Sequence, residues 1–317
     1  MMFSSTHVAN WAGSVRRKPH RSKQMKIYPV ILAGSEFATP IEQMVERSIL
    51  DFPIRGATTA CEMWSEIISE SVSVSQRISM LFGSSGILQD LKAQAGDPRF
   101  DRYIDPRSNR GTAGALADHW KSLSAETRDV EYMIVIDRSA CPPHSLERFL
   151  VALSGDADVL VGVSEFDRLA GVLAIRPSIL DFVPEVGYFD LKEQALQAAL
   201  QAGLKVATEI VVPRAIRLNS VKGWIDAVKF HLSRSAEQNG RVNLRGACVD
   251  PDADVGNAAI IDSIVMNNVQ IHDEAVVARS VICEGVVIPA GTRVVDSVVT
   301  RRSRHYRGGF ISEVGLE

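Results

Sequence analysis

No CxxC pair occurs in this chain. Its four cysteines, Cys61, Cys141, Cys248 and Cys283, lie far apart, which excludes a zinc knuckle and a secreted disulfide framework and points to a reducing cytoplasm. Long apolar runs are missing as well, since no stretch approaches the ~20 residues of a membrane span. The net charge of −3 provides no global field to draw in nucleic acid or an anionic membrane surface. The expected partner is therefore a small molecule. The first 26 residues carry Arg16, Arg17, Lys18, Arg21, Lys23 and Lys26 without the apolar core of a signal peptide. Residues 1–26 read as a disordered basic arm, with Met25 as an alternative start directly before the first strand.

What is present is enough apolar residue, 46% of 317 positions, for one large domain and a smaller appendage. Ile27 to Gly34 is a short apolar run stopped by glycine, as a buried parallel strand entering a loop should be. Met44–Phe52 and Glu62–Ser71 have helical spacing, and Arg77–Gly83 repeats the glycine-stopped strand. Gly111 opens a helix through Leu123, and Tyr132–Asp137 is a strand ending in a carboxylate. His144–Leu153 is amphipathic, Ala157–Val163 and Gly171–Ile175 are apolar, and Leu191–Gly203 has a helical period closed by glycine. This alternation predicts an α/β domain over 27–240 with a mostly parallel sheet and helices on both faces, its ligands at the carboxyl ends of the strands.

After Gly240 a six-residue period begins. Val249, Val255 and Ile261 are spaced by six, as are Val265 and Ile271, and then Val276, Ile282, Ile288 and Val294. Small or modest residues stand four places after most of them, at Ala253, Ala259, Ala275, Val286 and Thr292. The pattern predicts a left-handed parallel β-helix of hexapeptide repeats over 241–300, one aliphatic residue per short face pointing inward. About three coils fit, fewer than usually stand alone, so the stack should pack on the first domain or on a second subunit. Residues 301–317 read as a basic tail.

The glycine-stopped first strand, the run Arg110-Gly111-Thr112-Ala113-Gly114-Ala115-Leu116 and the strand ending at Asp137 together resemble the sugar nucleotidyltransferases. Gly171 to Pro177 and Gly187-Tyr188-Phe189-Asp190-Leu191-Lys192-Glu193-Gln194 extend the resemblance, which covers roughly residues 27–300. It implies a Rossmann-like nucleotidyltransferase domain followed by the hexapeptide β-helix. It also implies a reaction in which a sugar 1-phosphate attacks the α-phosphorus of a nucleoside triphosphate, with Mg²⁺, and pyrophosphate leaves.

Carried onto this sequence, the resemblance places the nucleotide at Ala33, Gly34 and Ser35 and at Arg110, Gly111, Thr112 and Ala113. Gly171 and Glu193 fall on the sugar side. Arg47 lies near the family's phosphate-binding lysine, Asp137 at a metal and catalytic position, and Lys192 beside the sugar phosphate. A strict alignment would put Ser139 rather than Asp137 at the ligand position. The second carboxylate falls near Arg217-Leu218-Asn219-Ser220, where only Asn219 can offer an oxygen to the metal. The first loop departs from the family pattern: Gly34-Ser35-Glu36-Phe37-Ala38-Thr39-Pro40 is short, lacks an arginine and sets Glu36 against a triphosphate. A relative that binds nucleotide or sugar nucleotide without turnover, as a regulatory or assembly subunit, is the alternative. A third reading, a hexapeptide acyltransferase, would use His272, which follows an inward residue and is expected at the surface. Self-association through the β-helix is expected in each case.

Overall fold

The computed structural model describes residues 25–34, 38–71, 77–83, 97–107, 109–232, 244–306 and 309–311. In chain order the first elements are β1 (Ile27–Leu32), α1 (Pro40–Val45), β2 (Pro53–Arg55), β3 (Thr58–Thr59), α2 (Ala60–Ser71), β4 (Ile78–Phe82), β5 (Phe100–Ile104), α3 (Gly111–Ser122), β6 (Tyr132–Asp137) and α4 (Glu147–Leu153). There follow β7 (Val159–Ser164), β8 (Leu169–Ile175), α5 (Leu196–Gln201), β9 (Val206–Val212) and α6 (Val221–Leu232). Among the described residues no helix is long and apolar enough to cross a membrane.

The chain divides into two compact units, and the division differs from the expected boundary at 240. One unit takes residues up to 37 together with 64–215; the other takes 38–63 together with 216–317. The chain thus leaves the sheet after β1 and returns within α2. Periodicity carries no record of such an excursion.

In the first unit seven strands form one sheet in the order β5-β4-β1-β6-β8-β7-β9. Every neighbouring pair is parallel except β6–β8 and β8–β7, so β8 alone runs against the rest. Alternation assigns the two faces. Tyr28, Val30, Met133 and Val135 pack with Ala113, Leu116 and Ala117 of α3 and with Ala195 and Ala199, while Ile31, Ile134 and Ile136 are buried on the reverse.

Under α3 this core holds a buried histidine. His119 is 4% exposed, its Nε2 is 2.9 Å from the Tyr28 hydroxyl, and Tyr28 in turn lies 2.6 Å from Ser79 Oγ. Nδ1 has no hydrogen-bond partner. The cheapest arrangement has Nε2–H donating to Tyr28, which leaves a bare lone pair at Nδ1 rather than an orphaned N–H. Burial holds the imidazole down at about 4, against an ordinary 6.5, with the Asp101 charge opposing weakly. The unfolded chain therefore takes up a proton that the folded one refuses, so the stability that neutral His119 permits is complete above pH 6.5 and is lost as pH falls toward 4. Denaturant midpoints should drop over that window by the equivalent of up to about 3 kcal/mol, and His119→Gln should flatten the profile. Equal slopes in the two proteins would refute the assignment.

In the second unit the C-terminal strands form three parallel ladders: Leu244–Arg245, Ala259–Ile261, Val276–Ala278 and Arg293–Val295 in one, Cys248–Val249, Ile264–Val265, Val281–Ile282 and Val298–Val299 in another, and Gln270–Ile271 with Val287–Ile288 in the third. Ile260, Val277 and Val294 are successive partners, as are Ile271 and Ile288, each 17 positions beyond the last. This three-faced parallel coil is compatible with the expected β-helix.

The inward residues are Val255, Ile260, Val265, Ile271, Val277, Ile282, Ile288, Val294 and Val299, all buried. Two of the residues expected inside are displaced by one: Ile261 is 39% exposed, and Val276 yields its place to Val277. The reason is geometric. The circuits are 16 residues long at first and 17 thereafter, so their steps mix fives with sixes, and on a strand a one-residue slip moves a side chain to the other face. The same correction replaces Ala259 by Ala258 in the buried ladder with Ala275 and Thr292.

One corner of the coil is a serine stack. Ser263, Ser280 and Ser297 each donate a hydroxyl to the carbonyl two residues earlier, and the Ser280 and Ser297 N–H groups donate to the hydroxyl one coil below, both at 3.1 Å. Each follows a left-handed residue, Asp262, Arg279 or Asp296. Arg279 and Asp296 form an ion pair over that corner. Residues Arg304–Tyr306 and Gly309–Ile311, placed by sequence in a tail, form an antiparallel pair.

Residues 38–63 and α6 belong with the coil. Trp224 of α6 stacks on Phe52 with ring centroids 4.0 Å apart and donates its indole N–H to the Pro53 carbonyl at 2.8 Å. The helix expected over 44–52 is cut in two. Thr39 and Glu42 form a capping box at the start of α1, and Glu46 in the left-handed region ends it. Only a single turn at Ile49–Asp51 follows, capped by Ser48.

Candidate functional site

The sheet itself indicates where a ligand belongs. β1 lies between β4 and β6, with β4 and β5 to one side and the later strands to the other. The carboxyl ends of β1 and β6 are thus the point at which strand order reverses, the position where open α/β sheets bind ligands. Leu32 is the partner of Asp137, so Ala33 and Gly34 emerge beside that carboxylate. On the other flank the last pair of β6 and β8 is Ile136 with Val172. One step further brings Asp137 level with Gly171, whose φ of +85° ends the regular pairing. Gly34 is sterically required: its N–H donates to the Leu81 carbonyl at 2.7 Å, and a Cβ there would lie 2.2 Å from the Gly83 nitrogen. Ser35, also expected in the nucleotide loop, lies outside the described residues.

Two residues that the sequence offered separately, 55 positions apart, meet at this edge. Lys192 Nζ donates to Asp137 Oδ2 at 2.8 Å, with the two side chains 35% and 27% exposed. Ser139, the alternative from strict alignment, serves the same carboxylate by donating its N–H and hydroxyl to Oδ1 at 3.0 and 2.8 Å. Partial burial strengthens such a pair relative to a surface one. Lys192 belongs to a π-helical turn, Leu191–Ala195, capped by Asp190, whose carboxylate accepts the Lys192 and Glu193 N–H groups. Glu193, expected on the sugar side, is exposed.

The Gly-Thr-Ala segment has a different surrounding from the one expected. Arg110 is 4% exposed; its guanidinium pairs with Asp118 at 2.9 Å and donates to the Gly187 and Pro184 carbonyls at 2.8 and 2.9 Å. A side chain so committed organises the 184–190 segment, and its guanidinium is spent on that segment and on Asp118. Arg107 adds a second guanidinium to Asp118 and donates to the Glu185 carbonyl at 2.9 Å. Gly111 has φ +72°, and a Cβ on it would meet the Phe189 carbonyl at 2.6 Å. That carbonyl accepts the N–H groups of Ala113 and Gly114 at 3.0 and 3.2 Å, two of the donors that a helix start would otherwise leave open. The Thr112 hydroxyl donates to Asp190 at 2.8 Å. Asp118 and Asp190 were missed by sequence reasoning. Asp190, an acid directly before the helical period that opens at Leu191, carried a legible cap signal; Asp118 carried none.

Arg47 and Asn219 lie in the second unit. Arg47 sits between the Glu46 helix end and the Ser48 cap, with Nη2 3.5 Å from Glu284 Oε2. Asn219 is exposed, just before Ser220, whose carbonyl and hydroxyl accept the Trp224 and Gly223 N–H groups. Among the described residues no group of three or more His, Cys, Asp or Glu side chains could hold a metal. The Mg²⁺ implied by resemblance fits only as an ion that brings most of its shell on phosphate oxygens, with Asp137 as the hard donor at the strand end. His272 is exposed, as expected of the residue after inward Ile271.

Residues 229–311 match the family described as GlmU-like, C-terminal hexapeptide. The match falls on the C-terminal coil, which is thus similar to hexapeptide-repeat segments of that description. No curated protein matches the chain.

Proposed function

We propose that this chain is a nucleotidyltransferase of the sugar-nucleotide type, joining a nucleoside triphosphate to a sugar 1-phosphate with release of pyrophosphate. The observation that carries the reading is the Asp137–Lys192 pair at the strand-order reversal, because an ammonium held beside that edge is suited to a phosphate. In the reaction a sugar phosphate oxygen attacks the α-phosphorus; one P–O bond forms there as the bond to pyrophosphate breaks. Lys192 would offset the charge of the incoming phosphate, and Asp137 keeps the amine oriented between turnovers. Mg²⁺ would supply further charge neutralisation on the triphosphate, with Asp137 as its protein ligand. Self-association through the coil belongs to the same reading.

Pyrophosphate release measured across the common nucleoside triphosphates and sugar 1-phosphates, with Mg²⁺, tests it. Wild-type protein should turn over with at least one pair, and Lys192→Ala should lower kcat/KM by about 10² or more. Absence of turnover with every pair would end the catalytic claim. The second reading, a binder without turnover, draws on the Phe189 carbonyl that occupies the α3 amides and on the lysine already seated on Asp137. Titration calorimetry distinguishes the two, since saturable nucleotide binding without pyrophosphate release selects the binder.

A further inference from the structure

Lys192 is a long side chain with four rotatable bonds, and nothing in its own chemistry aims it at Asp137. Its direction comes from the π-helical turn on which it is the second residue, and such turns need outside support because their hydrogen bonding is poorer than that of an α-helix. Asp190 and Gln194 supply that support. Asp190 Oδ1 accepts the N–H groups of Lys192 and Glu193 at 2.8 and 2.9 Å, and Gln194 Oε1 reaches back to the Asp190 N–H at 2.7 Å.

The remaining Asp190 oxygen is held from another element. Thr112 Oγ1 donates to Asp190 Oδ2 at 2.8 Å and accepts the Leu191 N–H at 2.9 Å. A hydroxyl has one proton to give and two lone pairs, so these two bonds use its donor completely and satisfy an amide that the cap alone does not reach. Together with the Phe189 carbonyl on the Ala113 and Gly114 amides, they lock the first turn of α3 to the π turn, 78 and 79 positions further along the chain.

We propose that Thr112 is a positioning residue for Lys192, acting through Asp190 and Leu191 to set the lysine on Asp137, instead of the nucleotide contact its place in the Gly-Thr-Ala run implies. The proposal gives the 111–114 and 187–194 segments a shared purpose, since anything that displaces the start of α3 also moves the phosphate-facing amine. It rests on the reading of Lys192 as a phosphate-binding group, and the experiment keeps the two separate.

The reporter is the reactivity of the Lys192 amine itself, measured as trace acetylation by acetic anhydride and read by peptide mass spectrometry relative to the exposed Lys205 in the same molecule. In Thr112→Val, which keeps the shape and removes the hydroxyl, labelling of Lys192 should rise about fivefold, the worth of one net hydrogen bond. Thr112→Ser should restore the wild-type ratio, because serine supplies the same oxygen, and Asp190→Asn should behave like the valine variant. An unchanged ratio in Thr112→Val, or a serine variant indistinguishable from valine, overturns the proposal. A parallel titration uses inorganic pyrophosphate: affinity should fall about fivefold in Thr112→Val and recover in Thr112→Ser. Should wild-type protein bind no pyrophosphate while the labelling changes as expected, the functional reading fails and the positioning role stands.

Discussion

Arg110→Met should cost about 3–5 kcal/mol of stability, read as a lower denaturant midpoint in urea unfolding. Arg110 and Asp118 are both almost wholly buried, and truncating the guanidinium leaves a carboxylate in the interior with Arg107 alone to answer it. The same change orphans the carbonyls of Pro184 and Gly187. Arg110→Lys should recover little, because an ammonium cannot reach a carboxylate and two separate carbonyls with the fixed fork that the guanidinium provides. The double variant Arg110→Met/Asp118→Leu should lose less than the single one, since removing both charges removes the desolvated carboxylate as well. A single variant within 1 kcal/mol of wild type would show that the cluster is not the clamp on residues 184–190 described above.

Trp224→Ala should cost a comparable amount, about 3–5 kcal/mol, in the second unit. The ring is fully buried, stacks on Phe52 and closes a hydrogen bond to Pro53, so the substitution leaves a ring-sized cavity together with an unpaired carbonyl. Trp224→Phe separates these contributions: it keeps an aromatic face for Phe52 and loses the indole N–H, so the loss should shrink to about 1–3 kcal/mol. Guanidinium unfolding followed by far-ultraviolet circular dichroism measures both. Equal losses for alanine and phenylalanine would place the whole effect in the hydrogen bond.

The strands buried on both faces were legible as apolar runs, and β1, β4, β6, β7 and β8 fall within or close to the stretches that composition marks. β5 and β9 were not. β5, Phe100–Ile104, sits at one end of the sheet and sets Asp101 and Arg102 side by side, three of its five side chains exposed. β9, Val206–Val212, is the opposite edge and contains Glu209, which pairs with Arg148. An edge strand buries too little for its pattern to stand out against a loop.

In the candidate site, Asp137 and Lys192 were each visible as motif residues, and their contact was not, because a 2.8 Å approach over 55 positions is a tertiary fact. Arg110 shows the reverse: its motif was legible and its commitment was not. Asp118 lies eight residues on, and no local rule joins a residue before a helix to one in its third turn. The coil was the most legible part, and its error was small, since the eye catches an even six more readily than sixes mixed with fives.

The 17-residue step has a consequence for how this chain can change length. Gain or loss of one whole circuit returns every valine, alanine and serine to an equivalent setting, and the ladders close again as before. Gain or loss of six residues, the apparent unit, would turn part of the lining to water. Evolution can therefore lengthen or shorten this segment most readily in circuits, much as a spiral stair is altered by full revolutions if its landings are to stay aligned, with a single residue absorbed at a corner as in the first circuit, where Leu244 pairs with Ile260 and Asp254 with Gln270.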